Sequence, residues 1–200
     1  MSSTLDHFRK SLFILAFLWC PLHATDYAAE IKGGYFIPTS SLFQDIYGGG
    51  GIYSLEVSRS VCPGIDGWAS ASYFTQLGYS IGQQDSTRVT LVPLGLGVKA
   101  HYCLKQFRTY AGLGIEANYL HTRDQSPLVI QSVSKWGVGA IAKAGVLFNF
   151  CPRWGVDIFG DYSFCEIPFH NTGGGRVGRQ TADVSGFSVG IGVNYRFGCD

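Results

Sequence analysis

Three sets of side chains in this 200-residue sequence could do chemistry. The first would be catalytic. His121 and His170, with Asp124 and neighbouring serines, are the types that a hydrolase gathers around a nucleophile, whose base must lie within about 3 Å. None stands in a His-x-Ser or comparable arrangement, so the expectation is a protein that is not an enzyme, with both histidines at the bases of loops. The second set is the cysteines. Cys62, Cys103 and Cys151 recur near tight-turn sequences, and Cys199 almost ends the chain. No Cys-x-x-Cys or nearby pairing of histidines accompanies them, so no metal and no cofactor is expected. Their candidate chemistry is disulfide formation. The third set is ionic. Lys32, Lys99, Arg108, Lys143 and Arg196 face Glu56, Asp66, Glu116, Asp157 and Asp161 in number, five against five. Balanced opposite charges suit ion pairing in a confined space, where an unpaired charge is costly.

These residues fall on segments with two different faces. In Phe187, Val189, Ile191, Val193, Tyr195 and Phe197 every second residue is large and apolar. Between them lie Ser188, Gly190, Gly192, Asn194 and Arg196. That period of two belongs to a β-strand. Eight such segments are expected, near 29–37, 50–61, 65–78, 87–102, 107–121, 135–150, 153–166 and 184–197. Each is long enough for a tilted transmembrane strand of roughly 9–11 residues. Tight turns at Cys62-Pro63-Gly64, Cys103-Leu104-Lys105-Gln106 and Cys151-Pro152-Arg153 alternate with longer connections at 38–49, 79–86, 122–134 and 167–183. Cys165 lies at the end opposite the other cysteines and reads as a packing residue.

Residues 1–24 read as a secretory signal peptide. Arg9 and Lys10 precede an apolar run from Leu12 to Cys20, and Leu22 and Ala24 occupy the −3 and −1 positions of a cleavage site. Residues 25–200 then form one domain. Charged residues are 14% of the chain, against roughly 25% in a soluble protein, and the net charge of +1 gives nucleic acid nothing to pair with. Glycines and charges fit a narrow lumen that also holds Phe36, Phe74 and Tyr110. Outside, Tyr35, Tyr53, Tyr102, Phe107, Tyr119, Trp136, Phe150, Trp154, Phe164 and Phe197 fit two interfacial girdles. The fold expected is all-β, an eight-stranded antiparallel up-and-down transmembrane barrel.

Two stretches resemble the small outer-membrane barrels of the OmpA-like, OmpX-like and OmpW-like kind. One runs Val92-Pro93-Leu94-Gly95-Leu96-Gly97-Val98-Lys99-Ala100-His101-Tyr102 and continues at Tyr110-Ala111-Gly112-Leu113-Gly114. The other is the final strand, whose alternation ends at Tyr195 and Phe197. The resemblance implies a bacterial outer-membrane location, with lipid and lipopolysaccharide around the barrel. It also implies that Tyr195 and Phe197 act as the assembly signal for the barrel-insertion machinery, although Gly198-Cys199-Asp200 follow where the aromatic usually ends the chain. Short turns would then face the periplasm, which permits disulfides.

Adjacent turns on that rim should stand roughly 10 Å apart, beyond the about 7 Å that a disulfide spans between Cα atoms. Pairing within one barrel would need the turns to bend together. Bridging to other envelope proteins is the equal alternative. The function expected is a structural or surface-interaction barrel with a side-chain-filled lumen and no wide pore. The alternatives are an adhesion barrel acting through its outer loops, a soluble lipocalin-like carrier and a lipid-modifying enzyme.

Overall fold

The computed structural model describes residues 27–79, 86–124, 132–169 and 180–197. The alternating segments form strands β1 (Tyr27–Pro38), β2 (Gly50–Cys62), β3 (Ile65–Tyr79), β4 (Ser86–Leu104), β5 (Phe107–Asp124), β6 (Ser132–Asn149) and β7 (Trp154–Phe164). A short helix α1 (Ser41–Tyr47) lies between β1 and β2. A small hairpin, β8 (Glu166–Phe169) and β9 (Gln180–Asp183), precedes the final strand β10 (Gly186–Phe197).

Eight strands close into an all-antiparallel barrel in the order β1-β10-β7-β6-β5-β4-β3-β2, while β8 and β9 pair only with each other. The expected transmembrane barrel is therefore present, and no described helix is long and apolar enough to cross a membrane. Closure matters because hydrocarbon offers no hydrogen bonds to an open sheet edge. The seam is the twelve-residue register from Tyr27↔Phe197 to Pro38↔Gly186.

The turns at one rim follow local chemistry. Gly64, after Pro63, sits at φ 82, which a type II turn demands of its third residue. At the other rim the structure departs from expectation. β4, β5 and β6 rise further than foreseen, so strand takes up much of the 122–134 connection. The 38–49 connection holds α1, and the 167–183 connection holds β8 and β9. Residues 170–179, with His170 and the run Gly173-Gly174-Gly175-Arg176, lie outside the described residues, as do residues 1–24.

The outer face is apolar. Ile31, Leu55, Leu113, Ile115, Val138, Ile158 and Ile191 are between 59% and 76% exposed. Tyr102, Phe107, Phe150, Trp154 and Phe197 form a girdle at the short-turn rim; Tyr35, Tyr53, Tyr119, Trp136 and Phe164 form another towards the loops. This is the surface of a membrane-spanning barrel.

Inside, Trp68 is buried and lies across β4 and β5. A Cβ at Gly114 would come 2.6 Å from its ring, and one at Gly97 would come 2.8 Å from it. The glycines of the Gly-x-Gly strands thus make room for an indole contributed by β3. Trp68→Ala should cost about 3–5 kcal/mol, read as a lower urea midpoint for the folded band of the detergent-solubilised protein, while Gly114→Leu should abolish that band.

Candidate functional site in the filled lumen

The lumen has two storeys, and the one nearer the short turns is ionic. β2 places Glu56 at the centre, with its side chain 1% exposed. Three ammonium groups converge on it: Lys99 Nζ at 2.7 Å, Lys143 Nζ at 3.1 Å and Lys32 Nζ at 3.4 Å. Lys32 also reaches Asp157 at 3.4 Å and Glu30 at 3.6 Å, and Lys143 reaches Asp161 at 2.9 Å. The Tyr110 hydroxyl donates to Asp157 at 2.6 Å. Aromatic faces complete the cage, with Lys143 4.6 Å from the Trp68 ring and Lys32 5.0 Å from that of Phe159. Each cation meets both carboxylate and π-cloud, which offsets the loss of water.

A second group lies closer to the turns. Arg108 donates to Asp66 Oδ2 at 2.5 Å and stands beside the His101 ring, whose Nδ1 is 3.4 Å from Asp66. Between the groups is a cavity of about 20 Å³, lined in part by Glu30, Lys99, His101 and Asp157. One water fills such a space.

Eight of the ten charges expected in one network, all but Glu116 and Arg196, thus form ion pairs in the lumen. Glu116 is buried there but accepts from Asn118 Nδ2 at 2.7 Å and Ser163 Oγ at 2.5 Å, with no cation paired to it among the described residues. Its neighbours on β5 and β7 present amide and hydroxyl rather than ammonium. Arg196 is half-buried near the rim, its Nε without a hydrogen-bond partner. Glu30 and His101 complete the clusters and were not among the expected residues. The signal for both was there, since Glu30 precedes Lys32 by two and His101 follows Lys99 by two, on the same strand faces.

The other storey is apolar. Phe36, Ile52, Phe74, Val89, Leu91 and Leu120 point inward from the walls. Phe43 enters from α1, and Cys165, Ile167 and Val184 enter from the β8–β9 segment. Phe36 and Phe74 meet edge-to-face at 5.1 Å. Gly137 and Gly139 of β6 are the seat of the hairpin: a Cβ on the first would lie 2.6 Å from Ile167, and on the second 2.8 Å from Cys165. The hairpin is anchored where the Thr39 amide and hydroxyl both donate to the Ser185 carbonyl, at 2.9 and 3.0 Å. Cys165 is the packing residue expected, fully buried.

Cys62, Cys103 and Cys151 are exposed and free, so the disulfide expected as one possibility within the barrel is not formed among the described residues. Their turns remain separate because each closes its own pair of neighbouring strands. Cys199 lies outside the described residues. Tyr195 packs between Trp154 and Phe197, 4.8 Å from each, on the short-turn rim. Of the catalytic candidates, His121 lies on the outer face with Nδ1 2.8 Å from Ser134 Oγ. Ser134 escaped sequence reasoning because the two meet only across strands β5 and β6. No described carboxylate is paired with that imidazole.

No protein-family model matches the chain, and no curated protein matches it by sequence. Solved structures do match. The outer membrane protein OprG of Pseudomonas aeruginosa is 13% identical, with a TM-score of 0.59 over 87% of this chain and 96% of its own. Ail, the attachment invasion locus protein of Yersinia pestis, solved with the heparin analogue sucrose octasulfate, is 14% identical, with a TM-score of 0.57 over 88% of this chain and all of its own. Outer membrane protein W of E. coli is 16% identical, with a TM-score of 0.55 over 88% of this chain and all of its own. The fold is that of the small outer-membrane barrels.

Glu56 is the lumen's central anion. Glu56→Gln should destabilise the folded barrel by about 3–5 kcal/mol, because it leaves Lys99 buried without its carboxylate and takes one from Lys32 and from Lys143. Adding Lys99→Met should recover part of that loss, and Lys105→Asn in the exposed turn should change stability by less than about 0.5 kcal/mol. Urea titration of the heat-modifiable band measures all three.

Proposed function

We propose, from the fold shared with small outer-membrane barrels, that this chain is an integral protein of a bacterial outer membrane with a structural or surface-interaction role. The observation that carries the reading is the lumen filled in both storeys. A solute would have to part the lysine–carboxylate cluster and then displace the aromatic and aliphatic plug. Neither storey resembles the wetted channel of a porin. A soluble carrier barrel needs the reverse arrangement, an apolar cavity inside and a polar surface outside.

In this reading the short turns face the periplasm and the long connections face outward, the usual asymmetry of such barrels. Lipid and lipopolysaccharide surround the girdles. The insertion machinery reads β10 through Tyr195 and Phe197. Interaction with other surfaces falls to the long-loop rim, a role favoured by analogy with Ail, whose name records attachment and invasion.

Two measurements test the reading. Reconstituted in planar bilayers, the protein should give no stable, wide single-channel openings; their appearance would sink the closed-lumen role. The exposed Cys62, Cys103 and Cys151 are the points of attachment to neighbouring envelope proteins. Non-reducing gels of intact envelopes should therefore show bands above the monomer that collapse with reductant, and a monomer alone would exclude cross-linking.

A further inference from the structure

We infer that the outer surface of β3, β4 and β5, at the long-loop rim, is a binding site for the phosphate monoester headgroup of a membrane lipid; the inference rests on the reading that this face lies in lipid. Arg88 of β4 stands directly opposite Arg123 of β5 in the ladder, with Leu77 of β3 on its other side. Both arginines point outward and are exposed. Like charges directly opposed across a sheet destabilise it. Neither guanidinium takes part in an ion pair among the described residues. They are also the sole formal charges on the outward positions of β3, β4, β5 and β6 among the described residues. An anion placed between them turns the repulsion into two attractions.

The rows beneath the arginines are graded. In the next row Thr90 opposes Thr75 on one side and His121 on the other, and His121 opposes Ser134. The Tyr119 hydroxyl donates to Ser134 Oγ at 3.2 Å, which leaves the serine's own proton for His121 Nδ1 at 2.8 Å. With Nδ1 as acceptor, the imidazole proton sits on Nε2, an assignment made from this network. The relay thus holds a further N–H donor beside the arginine pair. The following row is Tyr73, Val92, Tyr119 and Trp136, and below it Leu94, Leu96, Ile115 and Val138 form a bare apolar wall. A recess of about 430 Å³ opens at the polar end, lined in part by Leu77, Arg88, Thr90, His121 and Arg123 and reaching the inward-facing Thr87.

This arrangement selects its occupant. Two guanidinium forks and an imidazole N–H offer more donors than a singly charged diester can satisfy. A monoester presents three non-ester oxygens and nearly two negative charges, and arginine forks match that geometry. The apolar wall that begins beneath the two intervening rows takes acyl chains. A free phosphate would use the arginines and leave the wall bare, so the site belongs to a phosphate that is attached to a lipid.

Native mass spectrometry of the intact folded barrel, released from uncharged detergent micelles, tests the assignment with dioleoyl phosphatidic acid as the probe. The barrel should retain one phosphatidic acid and should not retain dioleoyl phosphatidylcholine at the same concentration. Arg88→Gln and Arg123→Gln should each weaken retention about tenfold, the loss expected for one charge-assisted contact. Excess inorganic phosphate should leave the lipid bound. Equal retention by wild type and the Arg88→Gln/Arg123→Gln double variant overturns the site, as does equal retention of phosphatidylcholine. Displacement by inorganic phosphate overturns the lipid occupant. Every sample is first assayed for its heat-dependent mobility shift: a wild-type protein without one overturns the membrane-barrel reading itself, whereas a shifting barrel indifferent to the arginines overturns only the site.

Discussion

The seam between β1 and β10 is the constraint on which the rest of this structure depends. An open sheet in hydrocarbon would expose two rows of unpaired amides and carbonyls, so the first and last strands must find each other. Their backbones approach closely enough that a Cβ at Gly34 would lie 2.5 Å from the Val189 carbonyl. Once eight strands close, the interior width is set. Every inward position then has to fill a narrow tube, and every outward position has to meet lipid.

The interior meets that demand in two chemically different ways. Near the short turns, Glu56 joins Lys32, Lys99 and Lys143 in one connected cluster. Near the loops, a plug assembled from strands, helix and hairpin excludes water by apolar contact. Buried ion pairs are weak contributors to net stability but costly to break, because removing one member strands the others. The plug contributes by ordinary hydrophobic burial. The two storeys need opposite surroundings, and the stack of glycines around Trp68 lies in the walls between them.

The outer surface is organised by depth as well. Girdles mark both ends of the apolar band, and on β3 to β6 the polarity climbs row by row towards the loops, from Leu94 and Val138 through Tyr119 and Trp136 to Thr90, His121 and Arg123. The same ladder that stabilises the sheet aligns those rows, since residues directly opposed across strands share one height. A like-charged pair at the top of such a gradient is costly in isolation and useful beside an anionic interface.

The sequence by itself determined the strand count, the inward and outward faces, the short-turn rim and both girdles. Period-two alternation is a local property of the chain, and an eight-strand closure leaves little freedom in what faces where. It also identified eight of the residues that pair in the lumen, though not Glu30 or His101, because a charge on the small-residue face of such a strand has nowhere else to go. Only the tertiary structure decided which charges pair. Glu116 and Lys143 share that face, yet Glu116 is taken by Asn118 and Ser163, while Lys143 goes to Glu56 and Asp161. The folding of β8 and β9 into the barrel mouth was equally out of reach, since Ile167 and Val184 show no periodicity and find their partners on β6 and on the facing walls. The Arg88–Arg123 and His121–Ser134 juxtapositions depend on cross-strand register. Register comes from closure of the whole barrel, and no single segment contains it.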